Sequence, residues 1–122
     1  MPPRVLIVDD EPGIREVLSE HLRQEGYVVE TMATGAAAIA AVRERVPDAV
    51  LLDLNMPGAL DGRAVLDAIG REVPVIVITA ITDVNDARAQ LQGGAFDFVS
   101  KPCRLDHISE VVAAAVAYRG AR

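Results

Sequence analysis

Apolar residues along this chain fall into short runs at regular intervals. Val5–Val8, Val50–Leu52, Val75–Ile78 and Phe96–Val99 are four of them, with a weaker fifth at Val28–Thr31. The runs are rich in Val and Ile and mostly continuous rather than alternating. That pattern predicts strands covered on both faces, as in a parallel sheet. Between the runs the period changes to that of a helix. Ile14, Val17, Leu18 and Leu22 make one stripe, with Pro12 suited to its first turn and Gly26 to the position just past its end. Ala38, Ile39 and Val42 make a second stripe, before Pro47. Val65, Leu66 and Ile69 make a third, closed by Gly70. A fourth helix is predicted from a cap at Asp83 through Ala87 and Leu91 to Gly93 and Gly94. The last carries Leu105, Ile108, Val111, Val112, Ala115 and Val116.

Strand and helix therefore alternate five times. Each connection is long enough for a helical crossover, which makes the strands parallel. The predicted fold is α/β: a flavodoxin-like, doubly wound (βα)5 sandwich with a five-stranded parallel sheet in the order 2-1-3-4-5. Residues 1–122 read as a single domain, with no repeat and no internal linker.

In such a sheet, ligands bind beyond the carboxyl ends of the strands, near the point where strand order reverses. Asp9, Asp10 and Glu11 follow the first strand. Asp53 follows the third, Thr79 the fourth, and Ser100, Lys101 and Pro102 the fifth. Any one of these is an ordinary start to a loop. Asp9, Asp10, Asp53, Thr79 and Lys101 together deliver three carboxylates, a hydroxyl and an ammonium to one rim. At about 4 Å and an effective dielectric near 20, each like-charge pair costs roughly 4 kcal/mol before screening. The cluster calls for a cation. Lys101 supplies one charge, and an all-oxygen set with room for water suits Mg²⁺. Thr79 and Lys101 can then hold the oxygens of a phosphoryl group, with Asp53 as the nucleophile that forms an acyl phosphate.

Composition narrows the picture. Apolar residues make up 51% of the 122 residues, which argues for a folded globule. The formal charge of −6 gives no general attraction to nucleic acid or an anionic membrane. No segment approaches the roughly 20 apolar residues of a membrane helix. The first residues, MPPRVLIVDDEPG, lack the features of a signal peptide. The single cysteine, Cys103, excludes an internal disulfide and fits a reducing cytosol.

The stretches VLIVDDEPGIREVL, AVLLDLNMPG with the following DG, PVIVITA and GGAFDFVSKP together resemble the receiver domain of bacterial two-component response regulators. The resemblance spans nearly the whole chain. It implies that Asp53 accepts a phosphoryl group from the phosphohistidine of a sensor histidine kinase or phosphotransfer protein. It implies Mg²⁺ held by Asp10, Asp53 and the backbone carbonyl of Asn55, with Asp9 acting mostly through water. Thr79 and Lys101 contact the phosphoryl oxygens, and the Lys101–Pro102 bond is cis. Phe98 is similar to the family's aromatic switch and would turn inward when Thr79 moves to the phosphoryl group. Phe96, two residues before it, is expected on the same side of the strand. Ala80 is small enough to leave the phosphoryl group accessible, and Asn55 and Ile81 sit where the family tunes hydrolysis. The fourth helix, fifth strand and fifth helix form the expected output or homodimer face. A cytoplasmic location follows from the same resemblance. The chain is expected to stand alone or to be the N-terminal part of a larger regulator whose DNA contacts, if any, lie elsewhere.

One departure concerns the loop after Asp53. Three residues, Gly58, Ala59 and Leu60, separate Pro57 from Asp61-Gly62 where the family has two. The third helix is expected to be short or shifted. Two other readings compete. A haloacid-dehalogenase-like phosphatase wants a second Asp two residues after the nucleophile, and this chain has Asn55, which cannot serve as general acid. A phosphorylation-independent interaction module has no need of an intact set. The leading expectation is a switch rather than a turnover enzyme. His21 and His107 have no partner at ligand spacing, and Cys103 reads as a small packing residue.

Overall fold

The computed structural model describes residues 2–56, 62–80, 89 and 92–120. Five parallel strands form one sheet: β1 (Arg4–Val8), β2 (Val28–Met32), β3 (Ala49–Asp53), β4 (Val75–Thr79) and β5 (Asp97–Ser100). Their spatial order is β2-β1-β3-β4-β5, as the sequence predicts. Four helices lie among the described residues: α1 (Pro12–Gln24), α2 (Gly35–Glu44), α3 (Gly62–Ile69) and α4 (Leu105–Gly120). The helix α4 is the fifth of the sequence pattern. Most of the expected fourth helix, including Asp83, Ala87 and Leu91, lies outside the described residues, as do Ile81 and the loop from Pro57 to Asp61.

The continuous runs are explained by two cores, one on each face of the sheet. Val5, Ile7, Ala49, Leu51, Ile76, Ile78 and Val99 face Leu18 and Leu22 of α1 and Ile108, Val111, Val112 and Ala115 of α4. Leu6, Val8, Val50, Leu52, Val75 and Val77 face Ala38 and Val42 of α2 and Val65, Leu66 and Ile69 of α3. Every residue of β3 and β4 is buried. The edge strand β2 keeps only Val29 buried, which is why its run is the weakest.

Helix boundaries follow local chemistry. Pro12 opens α1, and Gly26 beyond its end has a φ of 97°, a left-handed conformation that favours glycine. Thr34 caps α2 by accepting the Ala37 N–H through its hydroxyl. The helix α3 has only eight residues and is the shortest of the four, as the loop departure predicts.

The strand β5 begins at Asp97, one residue later than the apolar run, and this corrects the reading of Phe96. Phe96 precedes the strand, so the two-residue period does not extend to it. It packs against the α1–α4 core, its ring 5.3 Å from that of Tyr118, while Phe98 packs against the opposite core.

His21 does more than sit on a helix. Its Nε2 lies 2.7 Å from Ser109 Oγ, and that hydroxyl lies 2.8 Å from Glu25 Oε1. Ser109 donates to Glu25 while accepting from His21, and so joins α1 to α4. Ser109→Ala is expected to lower stability by about 0.5–1 kcal/mol, with a melting point roughly 2–4 °C lower. A double-mutant cycle with Glu25→Ala should show coupling in thermal unfolding; additive losses would mean that the bridge is not formed in solution.

Candidate functional site

The strand order puts β1 and β3 side by side at the reversal point, with Val8 opposite Leu52. Their next residues, Asp9 and Asp53, are both buried at the sheet edge, and Asp10 is exposed beside them. One carboxylate oxygen from each of Asp9, Asp10 and Asp53 can be chosen so that all lie within 4.8 Å of one another.

Backbone donors hold two of these carboxylates. The Glu11 N–H donates to Asp9 Oδ1 at 2.9 Å, and the Asn55 N–H donates to Asp53 Oδ1 at 3.0 Å. Arg15, one turn into α1, donates through Nη1 to the carbonyl of Asp9 at 2.8 Å and pins the loop that carries the acid pair. No sequence pattern pointed to Arg15, because a side chain bonding to a backbone carbonyl leaves no motif.

The next two strands complete the rim. Thr79 ends β4 and is 4% exposed. Its carbonyl accepts the Lys101 N–H at 2.9 Å, which ties the loop after β5 to the end of β4. The Lys101–Pro102 peptide is cis, as the resemblance implied. The Lys101 ammonium donates to Asp53 Oδ1 at 3.3 Å. Burial disfavours that ammonium, but the charge and hydrogen bond of Asp53, with Asp9 and Glu11, outweigh it and raise the pKa. Asn55 and Ala80 are exposed beside the rim, and Pro102 is exposed past Lys101. Phe98 of β5 is half-buried and pairs with Val77 of β4, two residues before Ser100, which pairs with Thr79. Phe98 and Thr79 thus share a face of the sheet. Cys103 is half-buried against the α1–α4 core, and burial pushes its thiol pKa up against the pull of Lys101.

The donor set fits a divalent cation. Asp9 Oδ2 is buried and has no hydrogen-bond partner among the described residues. Burial is the main cause of a raised Asp9 pKa; the Glu11 N–H and Lys101 lower it, while Asp53 and Asp10 raise it. An orphaned carboxylate oxygen beside two further carboxylates is left unsatisfied by protein groups alone. A hard cation with oxygen ligands answers that deficit.

The chain is similar to known proteins in sequence and in fold. A sequence model of the response regulator receiver domain matches residues 5–113. The transcriptional regulatory protein PrrA of Mycobacterium tuberculosis is 41% identical over 121 residues, covering 97% of this chain and 52% of PrrA. The DNA-binding response regulator MtrA of Mycolicibacterium smegmatis is 44% identical over 104 residues, covering 84% of this chain and 45% of MtrA. This chain therefore spans about half the length of the curated relatives it matches. The crystal structure of the receiver domain of NtrX from Brucella abortus superposes with a TM-score of 0.85 at 35% identity, covering 93% of this chain and 98% of that one.

Proposed function

The chain belongs to the response regulator receiver domain family, and from that premise we propose that Asp53 is its phosphoacceptor in a Mg²⁺-dependent switch. The observation that carries this is the meeting of Asp9, Asp10 and Asp53 at one rim with Lys101 bonded to Asp53. In this reading an Asp53 carboxylate oxygen attacks the phosphorus of a phosphohistidine on a sensor histidine kinase or phosphotransfer protein. The P–N bond breaks, an acyl O–P bond forms, and the leaving imidazole takes up a proton. Lys101 balances charge on the phosphoryl oxygens, and the Thr79 hydroxyl donates to one of them. Asp10, Asp53 and the Asn55 carbonyl would hold Mg²⁺, with Asp9 reaching it through water. A divalent cation held by these residues would supply positive charge to offset the acids and the incoming phosphoryl group.

The phosphorylated state is read by Thr79 and Phe98, whose shared face gives the ring a path toward the sheet when the hydroxyl moves. Exposed Ala80 leaves room for water, so the acyl phosphate is lost by hydrolysis without turnover of an external substrate. Residues 1–122 act as one receiver domain. Among the described residues, the proposed output or homodimer face is that of β5 and α4; most of the segment expected as the preceding helix lies outside them. No described helix is long and apolar enough to cross a membrane, and the lone cysteine fits a cytoplasmic place of work. With a formal charge of −6, this domain leaves DNA contact to other parts of any longer regulator.

Acetyl phosphate with Mg²⁺ is expected to add one phosphoryl group, seen by intact mass. A chelator should prevent the addition. Multiple turnover of a chromogenic phosphate ester would favour a phosphatase instead.

A further inference from the structure

The Asp61-Gly62 pair carries no role in the reaction described so far, yet Gly62 makes the closest backbone approach to the site. It is the first residue of α3 and is buried. A Cβ at Gly62 would stand 2.4 Å from Leu54 Cα, 2.6 Å from the Asp53 carbonyl oxygen and 2.7 Å from the Leu54 carbonyl oxygen. All three are backbone atoms, so no side-chain rotation can relieve the contact. The start of α3 thus rests directly on the peptides that follow Asp53. Those peptides also carry the Asn55 N–H that holds the Asp53 carboxylate. The Leu54 N–H in turn donates to the Ile78 carbonyl at 3.0 Å, so the segment is fixed from the β4 side as well.

We propose that Gly62 is a positioning residue for phosphoryl transfer: its missing side chain lets α3 seat against the Asp53–Leu54 backbone and aims the Asp53 carboxylate. The proposal rests on Asp53 being the phosphoacceptor. It also gives the Asp-Gly pair a reason to keep its place although the preceding loop has one more residue than the family pattern. The contact fixes where α3 begins, whatever the loop length before it. A side chain at Gly62 must move the backbone of β3's last residue, α3, or both. Displacements of an ångström at a reacting group are enough to slow transfer by about a hundredfold.

Gly70, at the other end of α3, supplies the control. A Cβ there would stand 2.7 Å from the Leu66 carbonyl oxygen and 3.2 Å from the Gly94 carbonyl oxygen, so backbone must also shift, but none of its contacts is a site residue. The test compares wild type, Gly62→Ala and Gly70→Ala, well below their melting points. It measures Mg²⁺ affinity by calorimetry and the rate of phosphorylation by acetyl phosphate at saturating Mg²⁺. Both variants are expected to melt lower than wild type. Only Gly62→Ala is expected to bind Mg²⁺ more weakly and to be phosphorylated about 10- to 100-fold more slowly. The proposal is overturned if Gly62→Ala matches wild type in both readouts, or if Gly70→Ala loses as much. It is equally overturned if Gly62→Ala fails to fold where Gly70→Ala folds, because the glycine then serves the fold alone. Failure of the underlying reading shows separately, as an absence of phosphorylation in the wild-type arm.

Discussion

Replacing Asp53 by Asn is expected to abolish phosphorylation by acetyl phosphate while leaving the sheet intact. The amide has nearly the shape of the carboxylate, and its oxygen can still accept the Asn55 N–H that now bonds Asp53 Oδ1 at 3.0 Å. What it lacks is the anionic oxygen that attacks phosphorus. The two neighbouring carboxylates, Asp9 and Asp10, are held differently from Asp53. Asp9 is buried with one oxygen held by the Glu11 N–H, and Asp10 is exposed on the neighbouring strand end. The substitution also removes the partner that most raises the Lys101 pKa, so that pKa should fall in the variant. The Lys101 side chain is 26% exposed, and solvent can reach its head, so the lost ion pair should cost little stability. Losing one like charge from the acid cluster works in the opposite direction. Intact mass after incubation with acetyl phosphate and Mg²⁺ reads the result, with circular dichroism confirming the fold. Equal phosphoryl addition in wild type and variant would place the acceptor elsewhere.

Asp10→Ala is expected to remove most of the Mg²⁺-dependent rise in melting temperature. A ligand that binds only the folded state stabilises it by about 2.7 kcal/mol at a hundredfold excess over Kd. For a domain of this length that corresponds to a shift of about 10 °C. The rise exists because the acid cluster is uncomfortable without a cation. Burial raises the Asp9 pKa above the ordinary carboxylate value. An acid with a raised folded-state pKa favours folding when it is protonated. That contribution is full below the unfolded-state pKa and is lost as pH rises through the folded-state value. At neutral pH without metal, Asp9 therefore subtracts from stability, and Asp53 and Asp10 add to its discomfort. Removing Asp10 takes away one repulsive neighbour and one ligand together. The metal-free variant should be as stable as wild type or more so, and its melting curve should barely respond to Mg²⁺. A full Mg²⁺ response in Asp10→Ala would mean that the cation binds elsewhere.

Much of this was legible in the residues, for reasons specific to each element. The strands β1, β3 and β4 lie between two cores, so Val5–Val8, Ala49–Leu52 and Val75–Ile78 are all apolar and these runs are unbroken. Their ends were visible because the apolar run stops at an acid or a threonine. The rim set of Asp9, Asp10, Asp53, Thr79 and Lys101 followed from those ends once the strand order was known. The start of β5 was harder to read. Phe96 is as apolar as Phe98 and Val99, but it packs against Tyr118 of α4 from outside the strand, and apolarity alone does not mark that boundary. Contacts between elements distant in sequence were not legible at all. The bridge from His21 through Ser109 to Glu25 joins residues 84 or more positions apart at Ser109, and no local period reports it. Arg15 and Gly62 act on backbone atoms, so the residue types at the far end carry no signal.

The most direct test of the account is chemical mapping of the phosphoryl group. The chain is treated with acetyl phosphate and Mg²⁺, reduced with borohydride, which converts an aspartyl phosphate to homoserine, and digested for peptide sequencing by mass spectrometry. Homoserine is expected at position 53 and at no other aspartate. Homoserine at Asp9 or Asp10, or a phosphorylated chain with Asp53 unreduced, would contradict it.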